Sequence, residues 1–128
     1  MTTVGILGGG QLARMMALAG APLGLRFRVL DNVADACAGQ FAPMIVGDYT
    51  DQAALAQFAA QVDVATFDFE NVPAESAQWL SERVPVFPNP RALAVAQDRL
   101  EFAYGLTFTS HFYGARRSVG YVPFDSET

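Results

Sequence analysis

The chain has 128 residues, which is enough for one compact domain with a substantial core. Apolar residues make up 52% and charged residues 16% of the sequence, so intrinsic disorder is not the main interpretation. A net charge of −5 and a pI near 4.6 argue against binding nucleic acid through a basic face. No apolar run is long enough to cross a membrane, and no basic segment opens the chain as in a signal peptide, so we expect a cytoplasmic protein.

Short apolar runs alternate with helical patterns along the first hundred residues. Strands are predicted at 4–7, 27–30, 44–46, 62–67 and 85–87, and helices after each glycine or capping signal. This order predicts an α/β fold with a doubly wound, parallel, Rossmann-like sheet. Thr50 is the expected N-cap of the second helix, with Asp51 in its first turn. Inward-facing stripes are predicted for several helices: Leu12, Met15, Met16 and Ala19; Leu55, Phe58, Ala59 and Val62; Leu93, Ala96 and Leu100.

A glycine-rich loop follows the first strand and opens the first helix. Gly8, Gly10 and Ala13 fit G-x-G-x-x-[GA], and Asp31 lies 21 residues after Gly10 at the end of the second strand. Such a loop can hold a phosphate at the helix N-terminus, while the acid accepts a ribose hydroxyl. The motif by itself therefore supports a dinucleotide-binding protein, and a purely structural turn is the simpler alternative.

A second candidate site is the segment FDFENVP at 67–73, at the end of the fourth strand. Ligands of open α/β sheets bind along this edge, so Glu70 is a candidate hydrogen-bond acceptor for sugar hydroxyls or an amine. The structural alternative is that Asn71 caps the next helix and Pro73 lies in its first turn. Elsewhere, the single cysteine, Cys37, is interpreted as a small packing residue.

Several ordered segments resemble 5-(carboxyamino)imidazole ribonucleotide synthetase, an ATP-grasp enzyme of purine biosynthesis. These segments are VGILGGGQLARMMALAGAPLGLRFRVLD (4–31), GDY (47–49), TFDFENVPAE (66–75) and VPVFPNPRALAVAQDRL (84–100). The resemblance implies that residues 1–100 form a pre-ATP-grasp domain and that the glycine loop faces a ribonucleotide rather than a dinucleotide. The family reaction joins aminoimidazole ribonucleotide to bicarbonate, with ATP and Mg²⁺ required. A homodimer is one possible oligomeric state for this chain.

The resemblance also implies site residues. Those facing the ribonucleotide are Gly9, Gly10, Gln11, Leu12, Glu70 and Asn71, and Arg99 is the first ATP contact. Catalytic residues and metal ligands are not assigned within this chain. Asp68 stands where the family motif has its first Glu, a departure that touches no residue carried over as a ligand.

Residues 101–128 match none of the family pattern and hold seven of the fifteen aromatic residues. Two interpretations stay open for this tail: a disordered segment from a disrupted reading frame, or an interaction tail that pairs with another chain. All eight basic residues are arginines, so the family's phosphate-binding lysines are absent. We therefore expect a fragment that forms part of the substrate site, is inactive alone, and holds neither ATP nor Mg²⁺ tightly.

Overall fold

The structure is a computed structural model that describes residues 1–68 and 72–97. One compact unit covers residues 1–93; the second, residues 94–128, is described over 94–97. The elements are β1 (Thr3–Leu7), α1 (Gln11–Gly20), β2 (Arg26–Asp31), β3 (Met44–Val46), α2 (Gln52–Ala59), β4 (Val64–Phe67), α3 (Ala74–Ser81) and α4 (Pro90–Gln97), with short 3-10 helices at Ala21–Leu23 and Cys37–Gln40.

Four parallel strands form one sheet in the order β3-β2-β1-β4. Side chains alternate across it, so that Ile6 and Val29 pack with α1 on one face, while Leu7 and Leu30 pack with α2 and α3 on the other. Both faces are therefore covered, and the strands read as continuous apolar runs for that reason. The predicted doubly wound α/β sheet is confirmed.

The fifth predicted strand is reduced to one bridge. Val86 pairs with Ala65 of β4 in parallel, and the Ala65 backbone bonds to Pro85 and Phe87 at 2.9 Å each. Prolines at 85 and 88 flank this contact and have no N–H to donate, so the pairing cannot extend. The prediction of a strand at 85–87 was correct in position and wrong in extent.

The buried face of α1 differs from the predicted one. Ala13 and Ala17 are 0% and 3% exposed, and Gly20 is also buried, whereas Leu12 and Met15 are more than half exposed. The reason is close packing: a Cβ at Gly20 would overlap the Phe27 ring, so only small residues fit between this helix and the sheet. The predicted stripe was therefore wrong for Leu12, Met15 and Ala19, which are exposed, whereas Met16 is partly buried and packs against the core. The second helix behaves as predicted, with Leu55 and Phe58 fully buried.

The first turns of the later helices also differ from expectation. Asp51 rather than Thr50 is the N-cap of α2, because its carboxylate accepts the Ala53 N–H at 3.0 Å. The Thr50 N–H and hydroxyl instead donate to Asp48 at 2.9 and 2.8 Å. Pro73 occupies the N-cap position of α3. In α4 Leu93 is buried as predicted, whereas the Ala96 side chain and Leu100 lie outside the described parts of the chain.

Candidate functional site

The two segments singled out in the sequence meet at one edge of the sheet. Leu7 at the end of β1 is paired with Phe67 at the end of β4. The N–H of Asp68, the next residue, donates to the Leu7 carbonyl at 2.9 Å. The glycine loop and the start of the FDFENVP segment therefore leave the sheet side by side, at the edge where open α/β sheets bind ligands.

Carboxylates hold two successive N–H groups of the glycine loop. The Gly9 N–H donates to Asp31 Oδ2 at 2.6 Å, and the Gly10 N–H donates to Asp68 Oδ2 at 2.7 Å. These short, charge-assisted bonds join the loop to the ends of β2 and β4. Neither N–H is left free for a phosphate, and both acceptors carry negative charge. The geometry thus removes the main support for a dinucleotide site.

Backbone conformation explains only part of the glycine pattern. Gly8 has a φ of 103°, in the left-handed region that glycine tolerates at low cost. Gly10 has a φ of −82°, which any residue can adopt. What demands glycine at position 10 is proximity, because a Cβ there would lie 2.6 Å from Asp68 Oδ2.

Asp31 is a structural residue in this fold. It is only 8% exposed, and besides the Gly9 N–H it accepts the Val33 N–H at 2.8 Å. The buried Tyr49 phenol faces the same carboxylate. Burial, followed by the negative charge of Asp31, raises the pKa of the Tyr49 phenol well above its ordinary value. Asp31 is therefore committed to organising the loop instead of being presented to a ribose.

Tyr49 is held from a second direction. The Ser76 hydroxyl in α3 donates to the Tyr49 carbonyl at 2.7 Å in a buried environment. In the sequence, the GDY triplet (47–49) is part of the family resemblance, and no local feature predicts a role for Tyr49.

The exposed side of the loop is formed by the first residues of α1. Gln11 and Leu12 are both exposed, as a ligand-binding role requires. The Cys37 thiol lies 3.7 Å from Gln11 Oε1 and 3.8 Å from the Gly9 carbonyl oxygen, to which it can donate. Cys37 is half-buried beside the loop. It is therefore a neighbour of the candidate site.

Three predicted site residues, Glu70, Asn71 and Arg99, lie outside the described residues, as does the tail at 101–128. Asp68 was the residue that sequence reasoning undervalued, because its partner Gly10 is 58 positions away in the chain. Within residues 1–68 and 72–97, no three His, Cys, Asp or Glu side chains are grouped so that they could hold a metal ion. No helix in these two ranges has the length and hydropathy of a membrane span.

Comparison with known proteins gives a consistent result. The sequence pattern of the ribonucleotide synthetase pre-ATP-grasp domain family matches residues 1–97. N5-carboxyaminoimidazole ribonucleotide synthase of Pseudomonas aeruginosa is 53% identical over 96 residues, which are 75% of this chain and 27% of that protein. The chain thus spans about a quarter of the length of this relative.

Solved structures show the same similarity. The Thermus thermophilus N5-carboxyaminoimidazole ribonucleotide synthetase superposes with a TM-score of 0.77 and 54% identity, over 80% of this chain and 29% of that one. The Aspergillus clavatus synthase, solved in complex with ADP and 5-aminoimidazole ribonucleotide, has a TM-score of 0.74 and 26% identity, over 84% of this chain and 29% of that one.

Proposed function

Because this chain belongs to the ribonucleotide synthetase pre-ATP-grasp domain family, we propose that it forms the aminoimidazole ribonucleotide wall of an ATP-dependent carboxylating ligase. One observation carries the proposal. The 2.7 Å bond between the Gly10 N–H and Asp68 places the loop with Gln11 and Leu12 beside the chain that continues to Glu70. The Aspergillus relative was solved with 5-aminoimidazole ribonucleotide, which makes this the ligand to test first.

Each of the three proposed contact residues offers a different interaction. The Gln11 amide can both donate to and accept from ribose hydroxyls or ring nitrogens. Leu12 provides an apolar surface for the flat imidazole, and the Glu70 carboxylate accepts from hydroxyls or from the exocyclic amine. Together they would hold the amine in one orientation, so that less entropy is lost when it reacts.

We infer that residues 1–68 and 72–97 do not by themselves hold ATP and Mg²⁺; Arg99, the proposed ATP contact, lies outside them. The sequence has no lysine, and the part described, 1–68 with 72–97, holds no cluster of metal-binding side chains. We assign phosphoryl transfer to neither the loop nor the sheet edge. With ribonucleotide and bicarbonate present, the purified chain should release phosphate from ATP no faster than a protein-free control does. Substrate-dependent release would contradict this assignment.

Cys37 provides a direct test of ligand binding. It is the only cysteine in the chain, so alkylation with iodoacetamide reports on one position beside Gln11. Aminoimidazole ribonucleotide should slow this alkylation in a concentration-dependent way, and NAD should not. Protection by NAD alone would favour a dinucleotide site, and protection by neither would contradict the proposed function.

Glu70 can be tested in the same assay. Glu70→Gln keeps the shape of the side chain but removes the charge that strengthens its hydrogen bonds, a loss of roughly 1.5–3 kcal/mol. The half-protecting ribonucleotide concentration should rise by about tenfold to a hundredfold. Glu75→Gln is the matched control, because Glu75 is an exposed acid in the first turn of α3. Equal, small effects at both positions would leave Glu70 without a binding role.

A further inference from the structure

We propose that Asp68 is a positioning residue for the ribonucleotide, acting through the glycine loop; this inference rests on the proposed function. The helix that opens at the loop has no negative charge of its own near its N-terminus. No acidic residue lies in the first turn of α1, and Gly10 at its N-cap position has no side chain that could cap it. Asp68, from the end of β4, supplies the missing acceptor and charge to the Gly10 N–H.

This contact is tight, and its geometry is restrained from both sides. The Asp68 backbone is anchored by its N–H bond to the Leu7 carbonyl at 2.9 Å. Its carboxylate lies so close to Gly10 that there is no space for even a methyl group between them. A change at Asp68 must therefore be transmitted to Gly10, and from there to Gln11 and Leu12, the next residues along the chain.

Asp68 also connects the two halves of the proposed binding wall. It follows β4 directly and precedes Glu70 by two residues, while its side chain holds the loop that follows β1. Asp31 also holds the loop, but its environment is different. Asp68 is half-buried, whereas Asp31 is nearly fully buried and has additional hydrogen-bond partners. Asp31 therefore stabilises the fold through several contacts. For Asp68 the structure gives one side-chain hydrogen bond, to the Gly10 N–H, next to the proposed contact residues Gln11 and Leu12.

The chain contains a matched control for this role. At the opposite end of the same strand pair, Asp63 Oδ2 accepts the Thr3 N–H at 2.8 Å. Asp63 and Asp68 thus make the same kind of bond between the β4 and β1 segments, one far from the candidate site and one within it. Loss of either bond should lower the urea midpoint, but only loss of the Asp68 bond should weaken ligand binding.

The experiment measures protection of Cys37 by aminoimidazole ribonucleotide in Asp68→Ala, Asp68→Glu and Asp63→Ala. Asp68→Ala should raise the half-protecting concentration by about tenfold, which is the loss of roughly one hydrogen bond, 1.4 kcal/mol. Asp68→Glu keeps a charged acceptor and should recover most of the affinity. For Asp63→Ala the half-protecting concentration should stay within about twofold of the value for the unaltered chain.

The outcomes separate this inference from the proposed function. If the unaltered chain is not protected, the proposed function fails and the positioning role fails with it. If the unaltered chain is protected but Asp68→Ala is protected equally well, only the positioning role is overturned. An equal loss in Asp63→Ala and Asp68→Ala would show that both act through stability alone and would overturn it as well.

Discussion

The Tyr49 phenol faces the carboxylate of Asp31, which in turn accepts the Gly9 N–H at 2.6 Å. A residue that follows β3 thus supports a loop that follows β1, across the intervening strand β2. The arrangement requires a protonated phenol, because a phenolate would face the negative charge of Asp31.

This requirement predicts a loss of stability at high pH. In the unfolded chain Tyr49 ionises near its ordinary pKa of 10.0, whereas burial and Asp31 raise the pKa in the folded state. The stabilisation is therefore complete below about pH 10 and is lost as the pH rises beyond it. Between about pH 8 and about pH 11 the free energy of unfolding, measured with urea, should decrease less for Tyr49→Phe than for the unaltered chain. An identical decrease in both would contradict the raised pKa.

The contact between Gly10 and Asp68 predicts a non-additive pair of substitutions. Gly10→Ala should weaken Cys37 protection by the ribonucleotide, because the new Cβ would lie 2.6 Å from Asp68 Oδ2 and displace it. In Gly10→Ala with Asp68→Ala the clash is absent, so the combined loss should be smaller than the sum of the two single losses.

Gly24→Ala is the control for a general backbone effect. No atom lies within 4 Å of a Cβ at Gly24, but its φ of 82° should cost about 1–2 kcal/mol of stability. Ligand protection should be unchanged in that variant. Full additivity of the Gly10 and Asp68 substitutions would show that the two residues act independently.

The observed buried face of α1 predicts that glutamine has unequal effects on stability when it is introduced at two different positions. Met15 is 54% exposed, so Met15→Gln should change the free energy of unfolding by less than about 0.5 kcal/mol. Ala17 is packed against the sheet, so Ala17→Gln should destabilise the chain by about 1–3 kcal/mol or more through overpacking and amide burial. Urea denaturation measures both, and a larger cost at Met15 would restore the predicted stripe.

The cap of α2 predicts a similar contrast between neighbours. Asp51→Ala removes the acceptor of the Ala53 N–H and should cost about 1 kcal/mol. Thr50→Val removes only an exposed hydroxyl that donates to Asp48, so its effect should stay within about 0.5 kcal/mol. The same denaturation series decides between them, since a larger loss for Thr50→Val would identify threonine as the cap.

Sequence alone determined the order of the elements and the class of the fold. Apolar runs located the four strands of the described sheet, and β3 was predicted at its observed residues. These features are local: a run of apolar residues or a left-handed glycine such as Gly8 carries its signal within a few positions. The same locality placed the candidate site at the sheet edge, because the carboxyl ends of parallel strands lie together.

The tertiary structure alone decided which side chains hold that edge. Asp68 and Gly10 are 58 residues apart, and neither has a local feature that identifies the other as its partner. The face of α1 was decided in the same way, since the distance between helix and sheet selects Ala13 and Ala17 over larger neighbours. Periodicity reports how apolar a helix face is, but only the packed fold determines how much space that face has.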